Sequence, residues 1–154
     1  MGKNQGGFTL IELLIVVAII GLLAAVAVPA MVSALDSGKQ KATLGDLRMI
    51  GQALDRYYID HGRYPLATAW EAVDTALRPH YLAAIPRQDG WGNPLLFDCT
   101  ETSCAVQAPC KEGAPDTLPT IPFETDPADL ARDIVWQDGG FLQRPSTTRE
   151  EDQG

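Results

Sequence analysis

A chain of 154 residues carrying 20 acidic and 12 basic side chains, for a net charge of -8, supplies one modest domain and little more. The acidic balance excludes a broad basic surface for nucleic acid. An ordinary content of hydrophobic residues, 45%, excludes wholesale disorder. The three cysteines, Cys99, Cys104 and Cys110, form no CxxC pair, which leaves a zinc ribbon or a thioredoxin-type site unsupported.

The chain opens with a short polar stretch, Met1 to Gly7, whose one charge is Lys3. Leu13 to Val32 is then an unbroken apolar run of 20 residues, counting Gly21 and Pro29 as apolar. At about 1.5 Å per residue it reaches roughly 30 Å, the depth of a bilayer core. Hydropathy alone leaves two readings, a transmembrane helix or a secretory signal peptide cut at Ala25-Val26-Ala27. Three details favour the first. Glu12 sits at the edge of the run, where a carboxylate is costly unless it has a purpose or a partner. Gly6-Gly7 lies directly before Phe8, an unhindered stretch that a protease can grip. Lys3 places the leader on the cytoplasmic side. Pro29 removes a backbone donor, so a bend or local melting is expected there, with Gly21 as a second soft point.

These residues spell Gly7-Phe8-Thr9-Leu10-Ile11-Glu12 ahead of an apolar helix. That run resembles the N-terminal signature of type IV pilins and of the pseudopilins of type II secretion. The resemblance implies cleavage between Gly7 and Phe8 by a membrane-embedded prepilin peptidase, followed by N-methylation of Phe8. It implies that Glu12 pairs with the Phe8 amino group of a neighbouring subunit as a filament grows. Such pairing would relieve the cost of a carboxylate in an apolar core and set the stagger between copies. Gly21 and Pro29 fall where such chains carry a helix-loosening glycine and proline.

Beyond Val32 the helix pattern continues. Leu44, Leu47, Ile50, Leu54 and Tyr57 recur at spacings of three and four, one face of a helix that must bury itself on a small sheet. Ser37-Gly38 is a possible kink, and Gly62 with Pro65 ends the helix. Trp70 to Leu77 is a short helix with Trp70, Val73 and Leu77 on one face. Asp89-Gly90-Trp91-Gly92-Asn93-Pro94 is a turn-rich block, with Trp91 read as a core plug. The Tyr64-Pro65 helix exit and the Trp-Gly-Asn-Pro turn resemble the major pseudopilin of type II secretion.

Leu95 to Cys99 and Cys104 to Ala108 read as strands joined by a four-residue loop. That geometry sets Cys99 opposite Cys104, within reach of a disulfide. Pairing of either with Cys110, or three thiols, are the alternatives. Pro109 to Pro127, with five prolines in nineteen residues, reads as a loop. Asp133 to Trp136 and Gly140 to Gln143 form a final hairpin turned at Asp138-Gly139, a type I′ pair.

The expected fold is therefore α+β, a pilin fold with a long N-terminal helix packed on a small antiparallel sheet. Its divisions are a leader at 1–7, a membrane and filament-core helix at 8–32, an amphipathic helix at 33–60, a globular part at 61–145 and a tail at 146–154. His61 and His80 read as surface residues. No phosphate loop or nucleophile elbow is present, so an enzyme has no support. No cofactor is expected. Asp126, Asp129 and Asp133 are the nearest calcium candidates, although the calcium-binding segment of major pseudopilins is not recognisable here.

The resemblance implies a structural subunit of a type II secretion pseudopilus. Its expected partners are further copies of itself, the prepilin peptidase, and an inner-membrane assembly platform with minor pilins. It would begin as a single-pass inner-membrane protein, its N-terminus cytoplasmic and its head periplasmic, and end in an extracytoplasmic filament. A type IV pilin for adhesion, motility or DNA uptake is the alternative. A solitary membrane-anchored binding protein is a third reading, disfavoured by Glu12 and the leader.

Overall fold

The computed structural model describes residues 8–115, 123–125, 129 and 132–145. The expected leader, including Gly7, and the expected tail lie outside the described residues, as does Asp126. The chain divides into two compact units, one ending at Asp36 and one beginning at Ser37. A single helix, α1 (Leu10–His61), contributes to both.

In the first unit α1 exposes its apolar side chains on every side, from Leu10 at 88% through Leu22 at 70% to Val26 at 74%. This segment is long and apolar enough to cross a membrane. The helix runs through Gly21, Pro29 and Ser37-Gly38 without a break. One missing donor at Pro29 does not end so long a helix, because the flanking turns keep their own hydrogen bonds.

In the second unit the predicted stripe is the core. Leu47, Ile50 and Leu54 are fully buried, with Leu44 and Tyr57 at the margin. Gly62 ends α1 at a left-handed φ of 69°, its N–H donating to the Tyr58 carbonyl at 2.8 Å, a conformation that costs glycine little. α2 (Trp70–Leu77) buries Val73 and Leu77.

Five strands follow: β1 (Leu96–Cys99), β2 (Cys104–Ala108), β3 (Phe123–Thr125), β4 (Ile134–Gln137) and β5 (Gly140–Pro145), in the order β1-β2-β4-β5-β3. Four of them pair antiparallel, as expected. Two details differ from the sequence reading, both in the proline-rich segment. Cys110–Glu112 forms a 3-10 turn, and Phe123–Thr125 joins the far edge of the sheet parallel to β5. The prolines stand outside that strand, and a three-residue edge needs few donors, so proline density does not forbid it.

Two close approaches fix the sheet and the turn block ahead of it on the helix. Trp136, 3% exposed, lies over Gly51, where an added Cβ would stand 2.4 Å from the indole ring. Gly90 meets α1 at Lys39, where a Cβ would lie 2.6 Å from the carbonyl oxygen. There the Thr43 hydroxyl accepts from the Gly90 N–H at 2.9 Å and donates to the Lys39 carbonyl at 3.0 Å. The buried tryptophan plug is thus Trp136, whereas Trp91 is only half-buried at the rim. Asp89 closes the block around it, one carboxylate oxygen accepting from the backbone N–H of Trp91 (2.9 Å) and of Asn93 (2.8 Å). The Asn93 amide spans from Asp89 to the Cys110 carbonyl.

Candidate functional site

Thr9 and Glu12 form the start of α1. The Thr9 backbone N–H and hydroxyl both donate to one carboxylate oxygen of Glu12, each at 2.9 Å, and the Glu12 N–H donates to the Thr9 hydroxyl at 3.3 Å. This is a capping box, in which two orphan donors of the first turn find partners inside the chain. The helix begins here because Thr9 supplies the cap and the residues after it are good helix formers. Glu12 also lies at the positive end of the helix dipole, which favours its negative charge.

Thr9 is the functional neighbour that the sequence reading missed. Its signal was legible, since Thr-x-x-Glu before an apolar run is the capping-box pattern. The box fixes the Glu12 carboxylate over the first turn with its other oxygen available to a further donor. Phe8, one residue ahead of the cap, is 78% exposed. An exposed anion beside an exposed residue that would become the chain's first after cleavage at Gly7 is an arrangement suited to meeting a cation. Gly21 and Pro29 lie within the exposed apolar stretch of the same helix, with no neighbour within 4 Å of a Cβ added at Gly21.

The cysteines lie elsewhere, in the head. Cys99 and Cys104 are Cα partners at the end of the β1–β2 hairpin, and a disulfide joins them. Cys110 is a buried free thiol. Burial, reinforced by the nearby Asp89 carboxylate, pushes it up to about 12. The hairpin tip is tied to the next turn by Asp138, whose carboxylate accepts from the Ser103 hydroxyl (2.8 Å) and the Cys104 N–H (2.7 Å).

Of the calcium candidates, Asp129 and Asp133 are described. Asp129 pairs with Arg132 at 3.4 Å, and Asp133 is buried and accepts from the Gln107 amide. Among the described residues, no three His, Cys, Asp or Glu side chains form a group able to hold a metal ion. His61 stacks on Tyr57 at 4.1 Å, and both His61 and His80 are exposed.

Comparison with known proteins adds to this geometry. Residues 2–28 match the family model described as the prokaryotic N-terminal methylation motif. The chain is 34% identical over 108 residues to the "Type II secretion system core protein G" of Pseudomonas aeruginosa, covering 62% of this chain and 74% of that one. It is 33% identical over 104 residues to the protein of the same name from Aeromonas hydrophila, covering 60% and 71%. A "Fimbrial protein" of Neisseria meningitidis is 37% identical over 94 residues, covering 58% and 54%.

Proposed function

The chain belongs to the type IV pilin and major pseudopilin family, as a subunit of the major pseudopilin kind, and on that premise we propose that it polymerises into a periplasmic pseudopilus of a type II secretion system. The observation that carries this reading is a carboxylate held over the first turn of an exposed apolar helix, directly after a glycine-phenylalanine junction.

Cleavage after Gly7 turns the Phe8 nitrogen into an amine, and N-methylation leaves it able to carry a proton at neutral pH. The Glu12 carboxylate of one copy then meets the Phe8 ammonium of the next. In an apolar filament core this pair offsets the desolvation of both charges only at one stagger, and so sets the register. The helix first holds the subunit in the inner membrane with the head outside the cytoplasm, then leaves the bilayer to enter the filament. Gly21 and Pro29 are the points where it loosens on that passage. The work is mechanical: growth of the filament pushes folded cargo outward, and the subunit itself is structural and not an enzyme. The partners follow from the steps, namely a prepilin peptidase, an inner-membrane assembly platform with minor pilins, and further copies of the chain.

Intact-mass analysis of sheared and membrane fractions from cells making the protein at native level tests this. A chain starting at methylated Phe8 and confined to membranes is expected. The same chain abundant in the sheared fraction would make it a surface fibre subunit, the reading that the fimbrial relative favours. An unprocessed chain, or one cut near Ala27, would overturn both.

A further inference from the structure

The disulfide of the β1–β2 hairpin is enclosed. Cys99 is 3% exposed and Cys104 0%, and both belong to the apolar core of the head. Segments from two distant parts of the chain close over them. Ala67, past the end of α1, donates its N–H to the Cys99 carbonyl at 3.2 Å and accepts from the Cys99 N–H at 2.9 Å. The Tyr64 N–H donates to the Glu101 carbonyl at 3.0 Å. From the β4–β5 turn, the Asp138 carboxylate accepts from the Ser103 hydroxyl and the Cys104 N–H, and the Asp138 N–H donates to the Cys104 carbonyl at 3.3 Å.

The loop between the two cysteines, in contrast, is held from within. The Thr100 N–H and hydroxyl both donate to the Ser103 carbonyl, at 2.7 and 3.1 Å, and the Ser103 N–H donates to the Thr100 hydroxyl at 3.1 Å. All three bonds join residues of the loop itself, and they set Cys99 opposite Cys104. That register matters because Cys110 follows Cys104 by six residues and Cys104 follows Cys99 by five. Loop-closure entropy barely separates two such spacings. A chain without the hairpin would pair Cys104 with either neighbour.

We propose that the Cys99–Cys104 bond is the product of a dithiol oxidation by a thiol oxidase, acting after the β1–β2 hairpin has formed and before the segment past α1 and the β4–β5 turn close over it. The co-reactant is a reactive protein disulfide outside the cytoplasm, where such bonds persist; that placement rests on the reading above of the head as extracytoplasmic. One cysteine thiolate of the chain attacks a sulfur of the oxidase disulfide, which makes a mixed disulfide and releases the other oxidase sulfur as a thiolate. The second cysteine thiolate then attacks the chain's own sulfur in that mixed bond and displaces the oxidase. The chain gives up two thiol protons and two electrons, and the oxidase leaves as the dithiol. Exchange needs access to the sulfur, and the finished head denies it to a protein-sized oxidant. Cys110, buried in the same core, is then closed to exchange as well.

The full chain in nonionic detergent tests the order of events. Reduced, returned to native buffer and freed of reductant, its Cys99 and Cys104 should react with a small aromatic disulfide about tenfold or more slowly than in concentrated urea, read by peptide mass. A reduced chain that does not fold at all, seen by circular dichroism, would equally uphold the order. Thr100→Val removes two of the three loop bonds and should raise several-fold the share of Cys104–Cys110 linkage in chains oxidised during refolding. Chains quenched with acid in cells and alkylated unfolded should carry one blocked thiol, at Cys110. Equal rates in native buffer and urea, an unchanged linkage in Thr100→Val, or three thiols on chains from cells would each overturn the inference. A start at methylated Phe8 in the same mass spectra would leave the proposed function standing. One blocked thiol on chains cut near Ala27 would overturn that function and leave the oxidation in place.

Discussion

Glu12 has two successive partners in this scheme. Within the chain it closes the capping box with Thr9, and in the filament it meets the amino group of another copy. Glu12→Ala is therefore expected to accumulate in membranes at the wild-type level and to yield no polymer, read by fractionation and immunoblot. Normal assembly of that variant would remove the pairing from the scheme. Cys110 offers a second residue-level prediction, on stability. Its folded thiol is raised from 9.0 to about 12, so between those values the unfolded chain has lost a proton that the folded chain keeps. Stability then falls as pH rises from 9 towards 12, by about 1.4 kcal/mol per pH unit at most for one proton. Tyr64, raised from 10.0 to about 12 mainly by burial and next by the Asp55 carboxylate, acts in the same direction from pH 10. Cys110→Ala should flatten urea-denaturation stability between pH 9 and 10, and an unchanged slope would show that the thiol does not titrate there. Glu12, Phe8 and the cysteines were all legible in the sequence, because a charge beside an apolar run and a thiol near a four-residue loop are local signals. The Thr9 hydroxyl belonged to an equally local pattern.

At the scale of elements, the stripe Leu47, Ile50 and Leu54 and the hairpins around Thr100-Glu101-Thr102-Ser103 and Asp138-Gly139 followed from periodicity and turn chemistry. Asp138 and Gly139 take the positive φ values, 46° and 91°, that a type I′ turn demands. What local pattern could not give was contact between distant segments. Nothing around Gly51 announces that Trp136 lies on it, and nothing in Phe123–Thr125 announces a parallel partner twenty residues on. Trp91, flanked by glycines, looked like the plug, yet those glycines serve a turn and the approach of Gly90 to α1. Gly51→Ala should lower head stability by about 1–3 kcal/mol, since the added methyl meets the indole ring. Chemical denaturation checks this, and a neutral result would mean that Trp136 is free to shift. The disulfide closes a short loop, Cys99 and Cys104 being five residues apart. Cys99→Ser/Cys104→Ser should cost about 2 kcal/mol on the loop-entropy argument, measured as the shift in urea midpoint against the oxidised chain.

For the whole molecule, the distribution of charge bears on ions. Asp129 and Asp133 each have a partner within the chain, so calcium is expected to leave the melting temperature of the detergent-dispersed chain unchanged. A rise that Asp129→Ala abolishes would add a resident cation. The margins of the sheet carry a different consequence. Along β1 the outer edge is not bare: Ala67 exchanges both backbone hydrogen bonds with Cys99, at 3.2 and 2.9 Å, and the Tyr64 N–H donates to the Glu101 carbonyl at 3.0 Å. At the opposite margin β3 is three residues long, and the last residue of β5 is a proline. Bare edges recruit foreign strands and seed amyloid-like aggregates. A protein that must be concentrated along a filament would run that risk at every contact between heads. Among the described residues, one sheet edge is partly capped and the other is only three residues long, so the chain offers few bare backbone groups to a foreign strand when copies crowd together.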